Sequence, residues 1–149
     1  MKAVIQRVRS ARLTADGAPF SEIGGGMMIL LGVCKEDTEQ DVDFLVHKCA
    51  NLRIFEDENG KMNLSPADGK AEVLAVSQFT LLGSCAEGNR PFFGEAARPE
   101  IAKPLYERFC EEMAKRLPTK TGVFGADMKI TMVCDGPVTI LMDTKELRK

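Results

Sequence analysis

The sequence predicts an α+β fold, in which antiparallel β-sheets form layers or a barrel-like sandwich and pack with two main helices. Most apolar segments have the alternating or continuous pattern of strands, and only two repeat apolar residues at helical spacing. Several strands precede the first helix, further strands lie between the helices, and two more close the chain. That order, with short hairpin-like links, is typical of α+β proteins.

The N-terminal part of the chain predicts three strands. Residues 2–8 alternate in polarity, and a turn at Asp16-Gly17 sends the chain back as a hairpin. Gly24-Gly25-Gly26 then precedes a continuous apolar run over Met27–Val33, which is typical of a buried strand. The glycines lack the other residues of a phosphate-binding loop, so they predict a bend between strands.

Two segments predict helices. Residues Asp37 to Leu52 repeat apolar residues at helical spacing, with the first residue as the cap and Gln40 in the capping-box position. In the second helix Pro104 lacks an N–H donor and clashes one turn back. The regular helix therefore starts near Lys103, or a first turn from Pro99 is kinked. Its apolar positions recur every fourth residue: Ile101, Leu105, Phe109 and Met113.

The composition is that of one globular domain over residues 1–149. Hydrophobic residues make up 44% and charged residues 28%, and no apolar run approaches the about 20 residues that a membrane-spanning helix needs. No secretion signal follows Lys2, so a cytoplasmic location is expected.

The net charge is -2, yet basic residues form three groups: Lys2, Arg7, Arg9 and Arg12; Lys115, Arg116 and Lys120; Lys145, Arg148 and Lys149. These groups are either solvated surface or a local face for a phosphate backbone.

Conventional catalytic sets are absent from the sequence. His47 is the single histidine and lies within the first predicted helix, where a surface position is expected. The five cysteines include no C-x-x-C pair, so neither a disulfide framework nor a zinc site is indicated. Neither a metal nor a cofactor is expected. Any hydrolysis would depend on backbone donors, hydroxyl groups and the substrate itself.

Ser77-Gln78-Phe79-Thr80 is the best local candidate for a reactive site. It follows a strongly apolar strand over Val73–Val76 and precedes an irregular, exposed segment over Gly83–Arg98. This placement puts hydroxyl and amide groups at the rim of a sheet, where backbone N–H groups could stabilise a tetrahedral oxyanion. The alternative is a strand end whose hydroxyls bond to neighbouring backbone groups.

Gly136-Pro137 is the second candidate. It lies between two predicted closing strands, Met128–Val133 and Val138–Met142. An X-Pro bond in a tight turn can be cis, and glycine accepts dihedral angles that other residues refuse. The pair can therefore present rigid backbone carbonyls to a ligand. A simple hairpin turn is the alternative.

Together these segments resemble the two signature motifs of the D-aminoacyl-tRNA deacylase family, Ser77-Gln78-Phe79-Thr80-Leu81 and Gly136-Pro137-Val138-Thr139. The similarity runs over essentially the whole chain, as an ordered set at family-like spacing. It includes Val4–Val8, Arg53–Phe55, Gly60–Asn63, Gly88–Pro91, Leu105-Tyr106 and Phe124–Met128.

The resemblance implies an editing enzyme that needs no cofactor. Members of the family hydrolyse the ester between a D-amino acid and the 3′-terminal ribose of tRNA, and they also remove glycine mischarged onto tRNA. The resemblance further implies a homodimer, in which the Gly-Pro peptide is cis and enters the active site of the partner subunit. The 2′-hydroxyl of the terminal adenosine is implied to assist the reaction.

The resemblance also implies roles for individual residues. The catalytic positions are Ser77, Gln78, Phe79 and Thr80, and rejection of L-amino acids falls to Gly136, Pro137, Val138 and Thr139. Thr80 either acts as a nucleophile or positions the substrate, and positioning is preferred because no base lies beside it in the sequence. Supporting positions are Met128, Phe124, Cys134 and Arg7.

Two residues depart from the usual family pattern. Cys134 stands where the family usually has asparagine, which bears on the support of the Gly-Pro loop. Phe92 stands where serine is common, which bears on contacts to the end of the substrate.

Two other functions stay open: a related deacylase with relaxed chirality, and a non-catalytic tRNA-binding module that uses the basic N-terminal strand. The sequence lacks the stacked aromatics that such modules commonly use.

Overall fold

The structure, a computed structural model, describes residues 1–149 as eight strands, three helices and a 3-10 turn. It confirms the α+β class and both main helices. The strands are β1 (Lys2–Ala15), β2 (Ala18–Ile23), β3 (Gly26–Gly32), β4 (Phe55–Glu56), β5 (Met62–Leu64), β6 (Glu72–Ser77), β7 (Thr119–Thr121) and β8 (Met128–Asp143). The helices are α1 (Glu39–Ala50), α2 (Pro99–Ala114) and α3 (Thr144–Leu147), and the turn is Phe79–Leu82.

The main sheet is built around the long strand β1. Its order is β2-β1-β3-β6-β7, and β8 pairs with β1 along the whole length of that strand. The Ser21 hydroxyl on β2 donates to the carbonyl oxygen of Thr121 on β7 at 2.9 Å. This contact brings the two ends of the sheet together, so that the sheet curls into a nearly closed barrel.

The predicted antiparallel pairing is right for β1 and wrong for β6. Strand β6 runs parallel to both of its neighbours, β3 and β7. The reason lies in the connections, because α1 lies between β3 and β6 and α2 lies between β6 and β7. Such a crossover returns the chain to the end of the sheet from which it started, so the next strand runs parallel. At Gly26 the two backbones are so close that a Cβ atom would lie 1.9 Å from the Glu72 carbonyl oxygen.

The two predicted closing strands are one strand, and the predicted turn between them is a bulge. Both halves of β8 pair antiparallel with β1, with Cys134 opposite Val8 and Thr139 opposite Gln6. The four residues Asp135–Val138 therefore stand opposite the single residue Arg7. Glycine and proline are frequent in hairpin turns and in bulges alike, so the sequence pattern could not separate the two.

Helix α1 has a different cap from the predicted one. Thr38 is the N-cap, and the Asp41 side chain accepts from its backbone N–H and from its hydroxyl. Asp37, the predicted cap, is buried instead. One of its carboxylate oxygens accepts from the Met1 ammonium and the other from the Cys34 backbone N–H, both at 2.6 Å. A charged acceptor satisfied in this way is no longer available to the helix.

Helix α2 begins at Pro99 and continues through Pro104. The first position tolerates proline because its N–H would have no partner in the helix. Pro104 and Ile101 both lie on the exposed side, and Ile101 is 45% exposed. The prediction that Ile101 belongs to the apolar face is therefore wrong, although the other three predicted positions of that face are buried.

Two apolar cores hold the sheet and helices together. The larger core lies between α1, α2 and one face of the sheet, and includes Leu45, Phe109 and Ile29. The smaller one lies inside the curl of the sheet, around Leu13 and Leu74. Each fully buried side chain of this size contributes about 1.5–3 kcal/mol. No helix combines the length and the apolar character that crossing a membrane requires.

Candidate active site

A cleft of about 620 Å³ opens at the end of β6. Three of the four predicted catalytic residues line it, namely Ser77, Gln78 and Phe79. Two predicted supporting residues, Phe124 and Met128, form part of the opposite wall. Most of the lining is hydrophobic, as is usual for sites that bind small molecules.

The turn after β6 is held by close packing against β3. The Gln78 backbone N–H donates to the Leu31 carbonyl oxygen at 2.7 Å. A Cβ atom at Gly32 would lie 2.6 Å from the Leu82 side chain, so glycine is needed for this approach. The chain then enters the 3-10 turn Phe79–Leu82, whose first amides have no partner within the turn. The amides of Phe79 and Thr80 are thus available as hydrogen-bond donors.

Aromatic packing fixes the rim of the cleft. The Phe79 ring is 55% exposed and meets the Phe93 ring edge-on, with centroids 5.1 Å apart. On the opposite wall the Phe124 ring lies 6.1 Å from that of Tyr106. The Tyr106 hydroxyl donates to the Ala75 carbonyl oxygen at 2.8 Å, and burial raises its pKa, so it stays protonated. Neither Phe124 nor Tyr106 therefore changes its charge near neutral pH.

Thr80 lies next to the cleft and does not line it. Its side chain is exposed, and its hydroxyl oxygen accepts from the Gln78 side-chain amide. This contact orients the hydroxyl relative to the end of β6. No histidine or carboxylate is hydrogen-bonded to Thr80, so the structure offers it no general base.

The Gly136–Thr139 segment lies on the bulge of β8, away from the cleft. Two neighbouring side chains of β1 hold it. Arg7 donates from Nε to the Asp135 carbonyl oxygen at 3.1 Å, and from Nη1 to the Ile54 carbonyl oxygen at 2.7 Å. The Gln6 amide donates to the Val138 carbonyl oxygen at 3.1 Å and accepts from the Thr139 hydroxyl at 2.6 Å.

The backbone at the centre of this segment has an unusual conformation. The Gly136-Pro137 peptide bond is cis, and Gly136 has a φ of 119°. A Cβ atom there would lie 2.9 Å from a methyl group of Val138 and 3.2 Å from the Arg7 guanidinium. Side chains of L-residues rarely accept such a φ. Both Gly136 and Pro137 are exposed, so the segment projects from the surface.

The strand register separates the cleft from the Gly136–Thr139 segment. Ser77 pairs with Leu31, which pairs with Ala3, whereas the bulge lies opposite Arg7. In the sheet, β8 and β6 are three strand spacings apart, about 14 Å. The cleft residue of β8 nearest the bulge, Ile130, lies six residues before Gly136, about 20 Å along the strand. Within one chain, the two predicted halves of the site do not meet.

The two family departures both lie on the surface. Cys134 is exposed on β8, just before the bulge. Phe92 is 71% exposed and pairs with Ser84 in an isolated bridge, one residue from the Phe93 ring that supports the cleft rim. His47 is exposed on α1 and does not line the cleft. No three side chains of metal-binding type come close enough together to hold an ion.

The buried cysteines are poor nucleophiles. Burial raises the pKa of Cys49 to about 12 and that of Cys110 to about 11. Burial also raises the pKa of Cys34. The reactive form of cysteine is the thiolate, so these three thiols are unreactive near neutral pH.

The fold and cleft define an α+β protein with a largely apolar cleft at a strand end, next to unpartnered backbone donors. Its sequence matches the family described as D-Tyr-tRNA(Tyr) deacylase over residues 4–143. Relatives from Persephonella marina and Geobacter sulfurreducens, both named D-aminoacyl-tRNA deacylase, are 56% and 55% identical to it. These alignments cover 99% and 97% of this chain, and 100% and 96% of the relatives. The chain belongs to the D-Tyr-tRNA(Tyr) deacylase family, which confirms the resemblance.

Two solved structures share the fold. The one named c-Myc DNA Unwinding Element Binding Protein has a TM-score of 0.91 at 44% identity, and the match covers 96% of this chain and 98% of that one. A structure described as a probable eukaryotic D-amino acid tRNA deacylase has a TM-score of 0.84 at 16% identity, over 95% and 97% of the two chains. The second likeness shows the fold alone.

Some cleft residues have no recognisable signal in the sequence. Val33, Ala97 and Ala102 line the cleft but are small apolar residues of the kind found throughout any core. Pro99 also lines it, and its position at a helix start was the only available signal. Such residues shape a cavity through the packing of distant segments, which spacing along the sequence does not encode.

Proposed function

We propose that this protein hydrolyses the ester bond of D-aminoacyl-tRNA, releasing free tRNA and the D-amino acid. The observation that carries the proposal is the cleft at the Ser77–Phe79 strand end, in a chain more than half identical to relatives of that name. The cleft volume suits an amino acid and part of its nucleoside. The enzyme is thus a hydrolase whose partner is an aminoacyl-tRNA, working in the cytoplasm as one domain over residues 1–149.

The chemistry depends on backbone donors and on the substrate. Water adds to the ester carbonyl, and the resulting tetrahedral oxyanion accepts hydrogen bonds from the amides of Phe79 and Thr80. Collapse of this intermediate breaks the bond to the ribose oxygen, which takes up a proton. The neighbouring 2′-hydroxyl of the terminal adenosine assists the proton transfer. Thr80 acts as a positioning residue, because its hydroxyl is held by Gln78 and has no base beside it.

Chiral selection requires the second segment. We assign it to Gly136–Thr139 of a partner subunit, since the register keeps this segment of the same chain far from the cleft. An L-amino acid would direct its side chain at the rigid Gly136-Pro137 carbonyls, and a D-amino acid would direct it outward. Glycine has no side chain to reject, so glycyl-tRNA is also a substrate.

The exposed surface of β8 supports a homodimer. This edge strand runs for 16 residues and pairs with β1 alone, and edges of that length are usually covered. Leu141 and Val133 on it are 77% and 52% exposed, as is much of the Phe79 ring at the cleft. A second copy that covered these groups would bring its own bulge towards the cleft.

Deacylation of matched D-, L- and glycyl-tRNA tests the proposal most directly. We expect release of amino acid from the D- and glycyl-substrates, and little release from the L-substrate. Equal rates on the D- and L-substrates would instead indicate a related deacylase with relaxed chirality. Tight binding of tRNA without release from any substrate would indicate a non-catalytic binding module.

A further inference from the structure

A second cavity, of about 550 Å³, is lined by residues of β1, β2, β7 and β8. We call it the basic groove, because Arg12, Lys120 and Lys129 line it and Glu22 is its one carboxylate. Arg12 and Lys120 belong to two of the three basic groups in the sequence. Neither takes part in the proposed chemistry.

Strand pairing explains why these side chains share one groove. Arg12 lies opposite Thr131 on β8, and Thr14 lies opposite Lys129. Directly paired residues project from the same face of a sheet, so Arg12 and Lys129 are diagonal neighbours on one face, which they share with the hydroxyl groups of Thr14 and Thr131. Lys120 enters from β7, which is joined to β2 by the Ser21–Thr121 hydrogen bond.

The charge in the basic groove is only partly compensated. Lys129 binds the exposed Asp127 at 2.7 Å, whereas Arg12 and Lys120 form no ion pair. Cations placed close together on neighbouring strands repel each other. In a chain whose net charge is -2, this local excess of positive charge fits an anionic ligand that neutralises it.

The basic groove adjoins the cleft. Lys129 lies between Met128 and Ile130, and both of these line the cleft. Successive side chains of a strand point to opposite faces, so a single strand separates the two cavities. A long anionic ligand whose end occupies the cleft can therefore continue past the Met128–Ile130 end of β8 into the basic groove.

We propose that the basic groove binds the phosphate backbone of the tRNA acceptor end. This inference rests on the proposed function and extends it from the amino acid to the body of the substrate. Arg12, Lys120 and Lys129 contact successive phosphates, and the neighbouring hydroxyls add hydrogen bonds. Phosphate contacts of this kind set position and affinity and do not read sequence. The groove therefore serves many tRNAs, as a general editing enzyme requires.

The test compares two triple variants that each remove three positive charges. One is Arg12→Gln, Lys120→Gln and Lys129→Gln in the basic groove. The control is Lys35→Gln, Lys61→Gln and Lys149→Gln, all exposed and outside the groove. Hydrolysis is measured on a D-aminoacyl-tRNA and on the same amino acid esterified to adenosine alone, over a range of salt concentrations. Binding of uncharged tRNA is measured in parallel.

We expect the groove variant to lose about tenfold in kcat/KM on the tRNA. The slope of log kcat/KM against log salt concentration should become shallower by about 2, since each lost phosphate contact removes roughly 0.7–0.9 from that slope. Hydrolysis of the adenosine ester should be unchanged. Equal losses on both substrates, or an equal loss in the control variant, would overturn the proposal.

These readouts separate the two proposals. If wild-type protein failed to hydrolyse D-aminoacyl-tRNA, the proposed function would fall. The binding of uncharged tRNA would still decide the role of the basic groove. Weaker binding in the groove variant alone supports the groove, and unchanged binding in that variant rejects it.

Discussion

The cleft and the Gly136–Thr139 segment are built in opposite ways. The cleft is enclosed by a buried strand end, the start of α2 and the Phe124–Met128 region, and its lining residues with polar side chains are Ser77, Gln78 and Asp127. The segment is an exposed bulge on the outermost strand, held from below by Gln6 and Arg7. One region has volume without a means of selection, and the other has a rigid projection without a cavity. Each supplies what the other lacks.

The largest expected effect is on catalysis at the cleft. Thr80→Ala should lower kcat/KM for D-aminoacyl-tRNA about a hundredfold, since misplacement of a reacting group by about 1 Å costs that much. The side chain is exposed, so the melting temperature should hardly change. Thr80→Ser keeps the hydroxyl and should retain most of the activity. A severe fall in melting temperature with unchanged specific activity would remove Thr80 from the site.

The second effect is on stability, and it belongs to the other region. Arg7→Ala leaves the Ile54 and Asp135 carbonyl oxygens without their donor, and should cost about 2–4 kcal/mol of unfolding free energy. Arg9→Ala is the matched control, because Arg9 is on the same strand and pairs with the same Asp135 but is 77% exposed. Chemical denaturation measures both.

The exposed Arg9 pair is expected to contribute less than about 1 kcal/mol. Equal losses in the two variants would mean that Arg7 is no more than a surface charge. A large loss of unfolding free energy in Arg7→Ala alone would show that buried contacts hold the Gly136–Thr139 segment in place. Thr80, by contrast, is exposed, and its replacement should hardly affect stability.

The sequence predicted local features of these regions better than their relation in space. The apolar run Val73–Val76 followed by polar residues located the cleft rim, because a buried strand and its end are local properties. For Gly136 the sequence predicts a turn where the structure has a bulge, since register depends on the partner strand. The parallel pairing of β6 follows from the predicted helices before and after it, a signal that the general antiparallel pattern outweighed. The prediction that the two segments form one site came from the resemblance to family motifs. The periodicity of a single chain contains no information on a contact between subunits.

A smaller effect is expected on selectivity when a side chain is added to the bulge. Gly136→Ala meets a φ of 119° and close contacts with Val138, so the segment must shift at a cost of about 1–3 kcal/mol. We expect about a tenfold rise in hydrolysis of L-aminoacyl-tRNA relative to the D-substrate, equivalent to roughly 1.4 kcal/mol. Paired rate measurements on the two substrates give this ratio.

Gly60→Ala provides the control for that substitution. Gly60 also has a positive φ, of 73°, but lies in the β4–β5 turn, with open space where its Cβ would be. It should lose some stability and keep its selectivity. If Gly136→Ala kept both the wild-type ratio of L- to D-hydrolysis and the wild-type oligomeric state, the assigned role of the bulge would be wrong.

The smallest effect is expected at Cys134. Its side chain is exposed and no hydrogen bond of the bulge depends on it. Cys134→Asn, which introduces the usual family residue, should change unfolding free energy by less than about 0.5 kcal/mol. The ratio of D- to L-hydrolysis should stay within about twofold, or roughly 0.4 kcal/mol. A marked gain in L-rejection would show that the amide supports the bulge after all.

The central claim is that the cleft of one subunit is completed by the bulge of another. Mixed dimers of a Thr80→Ala subunit and a Gly136→Ala subunit test it most directly, with different tags to purify the mixed species. Completion across subunits gives one site with neither change, so we predict about half of the wild-type rate on D-aminoacyl-tRNA with L-rejection intact. The claim would be contradicted if the mixed dimer hydrolysed L-aminoacyl-tRNA as fast, per cleft with an intact Thr80, as the Gly136→Ala homodimer does.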